Sequence, residues 1–175
     1  MISVYLSHGL ESGPGALKVD ALKGMTEKLD DVDPVVMDYR HLPDPRARLE
    51  HLRDTLHRRG DDPAGCIMAG SSLGGWLSAM LGAEHPMLGC FLLAPALGLA
   101  DYPETSPVLR ARSTHIIHGW RDDVIAPDPV IDYARRQRLS LRLLDDDHRL
   151  HQSLPTILDD FEQFLHHCQA LVRYA

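Results

Sequence analysis

The sequence predicts an α/β fold, with a three-layer, doubly wound arrangement around a six-stranded parallel sheet. Short apolar runs rich in β-branched residues alternate with apolar patterns of helical period along the chain, and turn residues separate them. No internal repeat or low-complexity tract interrupts this alternation. Because parallel sheets bind ligands at the carboxyl ends of their strands, functional residues should directly follow strands.

Six strands are expected, each a short apolar run bounded by turn signals. In the last of them leucines alternate with polar residues, which is typical of a half-exposed edge strand. The predicted strands cover residues 2–6, 34–39, 66–69, 90–94, 114–118 and 139–144.

Helices are expected between these strands and after the last one. The second helix has the clearest ends, with Asp44 as N-cap, Pro45 at the first helical position and Gly60 after the last turn. The helix before the sixth strand should open with Asp128 as its cap and Pro129 in its first turn. The buried faces should carry Leu49, Leu52 and Leu56 in the second helix, and Leu158, Phe161, Leu165, Cys168 and Val172 in the last, over residues 155–172.

The composition fits a single domain over residues 1–175, with no nucleic acid or membrane as partner. The formal net charge of −7 argues against a nucleic-acid phosphate ligand, which calls for a basic face. The longest mostly apolar run, residues 88–100, is shorter than the roughly 20 residues that a membrane helix needs, and residues 1–9 do not resemble a secretory signal. Three cysteines lie in apolar patterns, which favours buried reduced thiols. We therefore expect a cytoplasmic protein.

A G-x-S-x-G motif, residues 70–74, lies between the third strand and its helix, with Ser72 at the centre. Such a turn needs glycine on both sides of the serine, because helix and strand approach closely there. It exposes the serine hydroxyl beside the positive helix N-terminus. The pattern predicts a nucleophile elbow; the simpler alternative is a glycine- and serine-rich turn. A phosphate loop is disfavoured, because the Lys-Ser/Thr pair of a Walker motif is missing.

A nucleophilic serine needs a base and an acid, which should come from other strand ends. His148 follows the sixth strand and Asp122 follows the fifth, which gives the chain order Ser, Asp, His found in one class of serine hydrolase. We therefore assign Ser72, Asp122 and His148 as the catalytic residues. His151 remains an alternative base, and Asp123 an alternative acid. The three aspartates before His148 are interpreted as a solvated loop.

The loop after the first strand should supply part of an oxyanion hole. We assign the two donors to the backbone N–H groups of Leu10 and Leu73, with His8 orienting the loop. Asp145 to His151 could in principle bind a metal, but no established metal-ligand spacing supports this, so no metal is expected.

Together these motifs resemble the α/β-hydrolase superfamily along almost the entire chain, and look closest to its small, cap-less bacterial members of the YqiA-like type. The resemblance implies a minimal α/β-hydrolase fold without a cap domain, and a serine hydrolase acting on esters or thioesters with no cofactor. Only residues 95–113 lie between the fourth and fifth strands, too few for a helical cap. The matching residues are His8, Gly9, Leu10, Ser12, Pro14, Gly70, Ser72, Gly74, His118, Gly119, Asp122, Asp147 and His148.

The expected substrate is a small ester or thioester with a short acyl group, since no cap could cover a long one. A homodimer is possible. Acyl transfer, cofactor-free oxidation and a non-catalytic binding role remain alternative functions for the same residues. The side chains expected to line the acyl pocket are Trp76, Pro95, Trp120, Val124 and Ile125; Trp76 could instead be core.

Overall fold

The computed structural model describes residues 1–173, and within them six parallel strands form one sheet. The strands are β1 (Ile2–Ser7), β2 (Val32–Val36), β3 (Cys66–Ser71), β4 (Gly89–Leu93), β5 (Ser113–Gly119) and β6 (Ser140–Leu144). Their order in the sheet is β2-β1-β3-β4-β5-β6. A helix connects each strand to the next, except between β4 and β5.

Helices cover both faces of the sheet and create two separate cores. On β3, Met68 points into one core, while Ile67 and Ala69 point into the other, as the two-residue period of a strand requires. The predicted three-layer α/β fold is therefore confirmed. On one face lie α1 (Leu17–Thr26) and α5 (Leu154–Arg173), and on the other α2 (Pro45–Arg59), α3 (Leu73–Glu84) and α4 (Pro127–Gln137).

The ends of α2 follow their sequence signals. The Asp44 carboxylate accepts the N–H of Arg46 at 3.1 Å, Pro45 occupies the first helical position, and Gly60 ends the helix at φ 67°. The leucine stripe is buried against the sheet as predicted: Leu49, Leu52 and Leu56.

The predicted bounds of the second strand and the predicted cap of α4 were wrong. The second strand covers Val32–Val36 rather than residues 34–39. It ends early because Met37 and Tyr39 are buried in the core beside α2, so their apolar character reflects packing, not strand pairing. Asp128 is not the cap of α4. That helix begins at Pro127, after Ala126, so Asp128 lies inside its first turn.

The buried face of α5 was only partly predicted. Phe161, Leu165 and Cys168 are buried, but Val172 is 45% exposed and Leu158 only partly buried. Ile157 and Phe164 are buried instead, because the stripe that faces the sheet is rotated by about one residue.

The connection from β4 to β5, residues 94–112, contains neither helix nor strand. Within residues 1–173, no cap therefore covers the carboxyl ends of the strands. All three cysteines are free and buried, as expected. Among residues 1–173 no helix is both long and apolar enough to cross a membrane.

Candidate active site

Ser72 occupies a strained turn between β3 and α3. Its backbone has φ 56° and ψ −116°, a conformation that residues other than glycine rarely adopt. Its N–H donates to Leu93 at 2.9 Å and its carbonyl accepts from Trp76 at 3.1 Å, so β4 and α3 both hold the turn. The hydroxyl does not cap α3 and is free to point away from the helix.

The two glycines of the motif permit this turn. A Cβ atom at Gly70 would lie 2.2 Å from the carbonyl oxygen of Gly74, and one at Gly74 would lie 2.0 Å from the carbonyl oxygen of Ser7. Both contacts are with backbone, which cannot move aside cheaply. The steric reason given for the motif is therefore confirmed at both positions.

Three predicted side chains form one hydrogen-bonded chain. Ser72 Oγ lies 3.1 Å from His148 Nε2, and His148 Nδ1 lies 2.8 Å from Asp122 Oδ2. The order of the sheet explains this meeting: β3 carries Ser72, while β5 and β6 are neighbours and carry the other two at their carboxyl ends. Because a carboxylate only accepts hydrogen bonds, Asp122 favours the His148 tautomer with the proton on Nδ1, which leaves Nε2 as acceptor for the serine hydroxyl.

The Asp122 carboxylate is fully buried and held from four sides. Oδ1 accepts the N–H groups of Val124 at 2.9 Å and Ile125 at 2.8 Å. Oδ2 faces His148 and also His118, whose Nε2 lies 3.2 Å away and 2.8 Å from the carbonyl oxygen of Ile125. His118 therefore supports the Asp122 loop, and burial lowers its pKa below the usual value.

The loop after β1 packs directly against the turn that holds Ser72. A Cβ atom at Gly9 would lie 3.6 Å from the carbonyl oxygen of Ser71 and from Ser72 Cβ, so this loop lies next to the turn. Leu10 follows Gly9, and Leu73 is the first residue of α3, where helical N–H groups have no intrahelical partner. Within residues 1–173, neither of these two N–H groups donates to a backbone carbonyl of a loop, turn or cap. Both are available to a developing oxyanion.

His8 ties this loop to the rest of the protein. Its Nε2 accepts the backbone N–H of Tyr39 at 2.9 Å, which places the ring proton on Nδ1, 2.8 Å from the carbonyl oxygen of Gly9. Burial lowers the pKa of His8, which favours this neutral form. The predicted loop-orienting position of His8 matches these contacts.

Arg48 is the residue that sequence reasoning missed. It is 2% exposed, and its guanidinium donates to the carbonyl oxygens of Gly9 and Leu10, each at 3.1 Å, and of Leu42 at 2.5 Å. The guanidinium carbon Cζ of Arg48 also lies over the Tyr39 ring, 5.4 Å from its centroid. The sequence does carry a signal for the burial of Arg48, because this residue lies one helical turn before Leu52 on the buried face of α2.

Asp146 was also misread. It was interpreted as part of a solvated loop but is 1% exposed, and it accepts the N–H groups of Asp147 and Ser153, both at 2.8 Å. Burial alone would raise the pKa of Asp146, but these hydrogen bonds outweigh it and the pKa falls below the usual value. Asp146 thus fixes the loop that carries His148 to the start of α5.

A cavity of about 750 Å³ opens beside Ser72 and His148. Of the predicted pocket residues, Val124 and Ile125 line it. His151 lies on the same wall, but His148 is the histidine within reach of Ser72. The remaining lining comes from the loop after β1, the start of α1, the end of β3, the β4 to β5 and β5 to α4 connections and the His148 loop: His8, Gly9, Leu10, Glu11, Ser12, Ala16, Leu17, Lys18, Val19, Ser71, Leu99, Tyr102, Asp123, Asp147 and Arg149.

Trp76, Pro95 and Trp120 do not line this cavity, contrary to the prediction. Trp76 is fully buried and donates its indole N–H to the backbone carbonyl oxygen of Glu104 at 2.7 Å. It packs edge-on against Tyr102, so it supports this cavity-lining residue from the core side. Pro95 is buried beside Gly75 in α3. Trp120 is 55% exposed and lies outside. Within residues 1–173, no group of three His, Cys, Asp or Glu side chains could hold a metal ion.

Residues 2–115, well over half of the chain, match the uncharacterised protein family UPF0227. The chain belongs to this family. The UPF0227 match agrees with the resemblance to small α/β hydrolases. No curated protein matches the sequence.

Solved structures place this UPF0227 protein among the α/β hydrolases. A protein from Xanthomonas campestris pv. campestris, assigned to the alpha/beta hydrolase superfamily, is 30% identical with a TM-score of 0.84, over 95% of this chain and 99% of the other. Est1E from Butyrivibrio proteoclasticus is 16% identical with a TM-score of 0.77, over 97% and 88%. Dienelactone hydrolase from Anabaena variabilis is 16% identical with a TM-score of 0.72, over 95% and 86%. Because Est1E and the dienelactone hydrolase are each only 16% identical to this chain, they show a shared fold alone.

Proposed function

We propose that this UPF0227 protein is a serine hydrolase that cleaves carboxylic esters or thioesters of small acyl substrates through an acyl-enzyme. The observation that carries the proposal is the unbroken hydrogen-bonded chain from Ser72 through His148 to Asp122, with Ser72 in a strained turn beside an open cavity. The superfamily assignment of the 30% identical Xanthomonas protein supports hydrolysis as the class of reaction.

In the acylation half-reaction, Ser72 Oγ attacks the acyl carbonyl carbon while its proton moves to His148 Nε2. The carbonyl oxygen becomes an oxyanion and accepts hydrogen bonds from the N–H groups of Leu10 and Leu73. The imidazolium formed at His148 is stabilised by Asp122. The tetrahedral intermediate then collapses: the bond to the leaving oxygen or sulfur breaks, and His148 protonates that atom.

In the deacylation half-reaction, a water molecule takes the place of the departed alcohol or thiol. His148 Nε2 accepts a proton from this water as its oxygen attacks the acyl carbon. The second tetrahedral intermediate uses the same two N–H groups. Its collapse breaks the bond to Ser72 Oγ, returns the proton from His148 to the serine and releases the carboxylic acid.

A fluorophosphonate probe tests the nucleophile, because it forms a covalent bond with an activated serine. The wild-type protein should label and should hydrolyse 4-nitrophenyl butyrate, and Ser72→Ala should do neither while keeping its fold by circular dichroism. The chain offers a matched control at the opposite end of the sheet. There Ser140, His115 and Asp160 also form a hydrogen-bonded chain, with distances of 2.9 and 3.4 Å.

Ser140 lies in a regular strand and has no positive φ, so it lacks the strained turn of the Ser72 site. Ser140→Ala should therefore label and turn over like the wild type. Labelling that persists in Ser72→Ala would contradict the proposal. The base is tested in the same assays: His148→Ala should lose labelling, whereas His151→Ala should keep it.

A further inference from the structure

A lysine in the wall of the cavity has no acidic partner. Lys18 lies in the first turn of α1 and lines the cavity together with Ser72 and His148. Its Nζ donates to the carbonyl oxygen of Arg149 at 2.7 Å, and among residues 1–173 no carboxylate lies within ion-pair distance of it. An ammonium group has three N–H donors, and the carbonyl oxygen of Arg149 accepts from one of them, so this contact leaves the other two unused.

The acidic groups around Lys18 are committed elsewhere. Asp122 accepts two backbone N–H groups and faces two histidines. Asp146 uses both oxygens on backbone N–H groups, and Asp147 accepts the N–H of Arg149 at 2.8 Å. These charges favour the protonated form of Lys18 without neutralising it. Burial is the larger effect and lowers the pKa of Lys18 to about 8.

Apolar side chains share the wall of the cavity with Lys18. Leu10, Leu17 and Val124 are exposed large apolar side chains, and all three line the same cavity. A substrate that fills this space would place methylene groups against these residues. Lys18 is half-buried, and a negative group stabilises a partly desolvated cation, so a negative group on the substrate would complete the site.

We propose that Lys18 binds a carboxylate carried by the substrate, so that the protein prefers esters with a free acid group over otherwise identical neutral esters. This inference rests on the proposed function and names its substrate class. The carboxylate can sit on the acyl part or on the leaving group, and the two sources are separated by the choice of substrates.

The acyl arm compares the 4-nitrophenyl monoesters of adipic and suberic acid with the same compounds capped as methyl esters. The leaving-group arm compares the butyrate ester of 3-carboxy-4-nitrophenol with its methyl-capped form. In each arm the measured quantity is the ratio of kcat/KM for the free acid to kcat/KM for the capped ester at pH 7, after subtraction of the uncatalysed rate. The arm in which the wild-type ratio exceeds about ten identifies the source, since a hydrogen bond to a charged group contributes on that scale.

In Lys18→Met that ratio should fall to about one, and in Lys18→Arg it should stay above one because the charge is kept. Lys28→Met is the matched control: Lys28 is exposed, follows α1 and does not line the cavity, so its ratio should equal that of the wild type. A purely structural role of Lys18 in holding Arg149 would slow both esters equally and leave the ratio unchanged, and that result would overturn the inference.

The ratio should also fall as pH rises through about 8, where Lys18 loses its proton. His148 acts on both esters in the same way, so its contribution cancels in a ratio of two substrates. The other charged groups that face Lys18 are Asp122, Asp146, Asp147 and Arg149, and they too are common to both esters. A ratio near one in both arms, with Ser72-dependent hydrolysis of the capped esters intact, refutes the lysine inference alone. Absence of Ser72-dependent hydrolysis of every ester refutes the proposed function and the inference with it.

Discussion

Replacing Arg48 by methionine should lower kcat while leaving the protein folded. The change removes three hydrogen bonds from the guanidinium to backbone carbonyls, each in a class that contributes about 1.5–3 kcal/mol. It also removes the desolvation cost of a buried, unpaired cation, which is several kcal/mol. Because these effects oppose each other, the net loss in free energy of unfolding should be about 1–3 kcal/mol.

The catalytic effect has no such compensation. Arg48 fixes the carbonyl oxygens of Gly9 and Leu10, and the peptide planes on either side of Leu10 determine where its N–H points. Loss of one oxyanion donor costs about 10²–10³ in kcat. A loosened donor should cost part of that, so kcat should fall about 10–100-fold, with a much smaller change in KM because the ground state depends less on this N–H.

The assays are steady-state hydrolysis of 4-nitrophenyl butyrate and thermal unfolding. A loss of 1–3 kcal/mol corresponds to a decrease in Tm of very roughly 2–12 °C for a chain of this length. Arg46→Met is the matched control, since Arg46 is exposed on the same helix, and its kcat and Tm should match the wild type. A folded Arg48→Met with kcat within twofold of the wild type would refute the positioning role.

Two further substitutions test the site and its turn. Asp122→Asn should keep the conformation of the loop, because the remaining oxygen still accepts two backbone N–H groups. It should lower kcat about 10⁴-fold, because an amide N–H opposite His148 favours the wrong tautomer of the histidine. Asp123→Asn should retain most activity, and the reverse result would assign the role of the triad acid to Asp123. Gly74→Ala should decrease Tm, because its Cβ atom would lie 2.0 Å from the carbonyl oxygen of Ser7. Gly24→Ala is the control: it lies inside α1 with open space around it, so Tm should be unchanged or higher. Equal Tm values for the two alanine variants would show that the turn relaxes more easily than its geometry implies.

The order of the elements and the three residues at the strand ends could be predicted because local chemistry determines them. Gly70, and the proline and glycine at the ends of α2, have steric reasons that act within a few residues, whereas the requirement for Gly74 comes from Ser7 on β1. The same holds for the leucine stripe of α2. Such signals survive folding because no distant contact competes with them.

What escaped prediction depends on partners far along the chain. Arg48 and Gly9 are 39 residues apart, and nothing near Arg48 indicates that its acceptors are carbonyl oxygens of another loop. Trp76 was assigned to the pocket from its neighbourhood in sequence, but its orientation is set by a carbonyl 28 residues away. Lys18 and Arg149, separated by 131 residues, are a third example.

In the proposed mechanism, the connection over residues 94–112 bears on the fate of the acyl-enzyme. Since this connection contains no helix that could close over the cavity, bulk water should reach the acyl carbon as freely as any other nucleophile. An enzyme that transfers acyl groups to an alcohol must keep water out, because water is always in large excess. An open cavity therefore favours release of the free acid over transfer, and competition by added alcohols should divert only a minor share of the product.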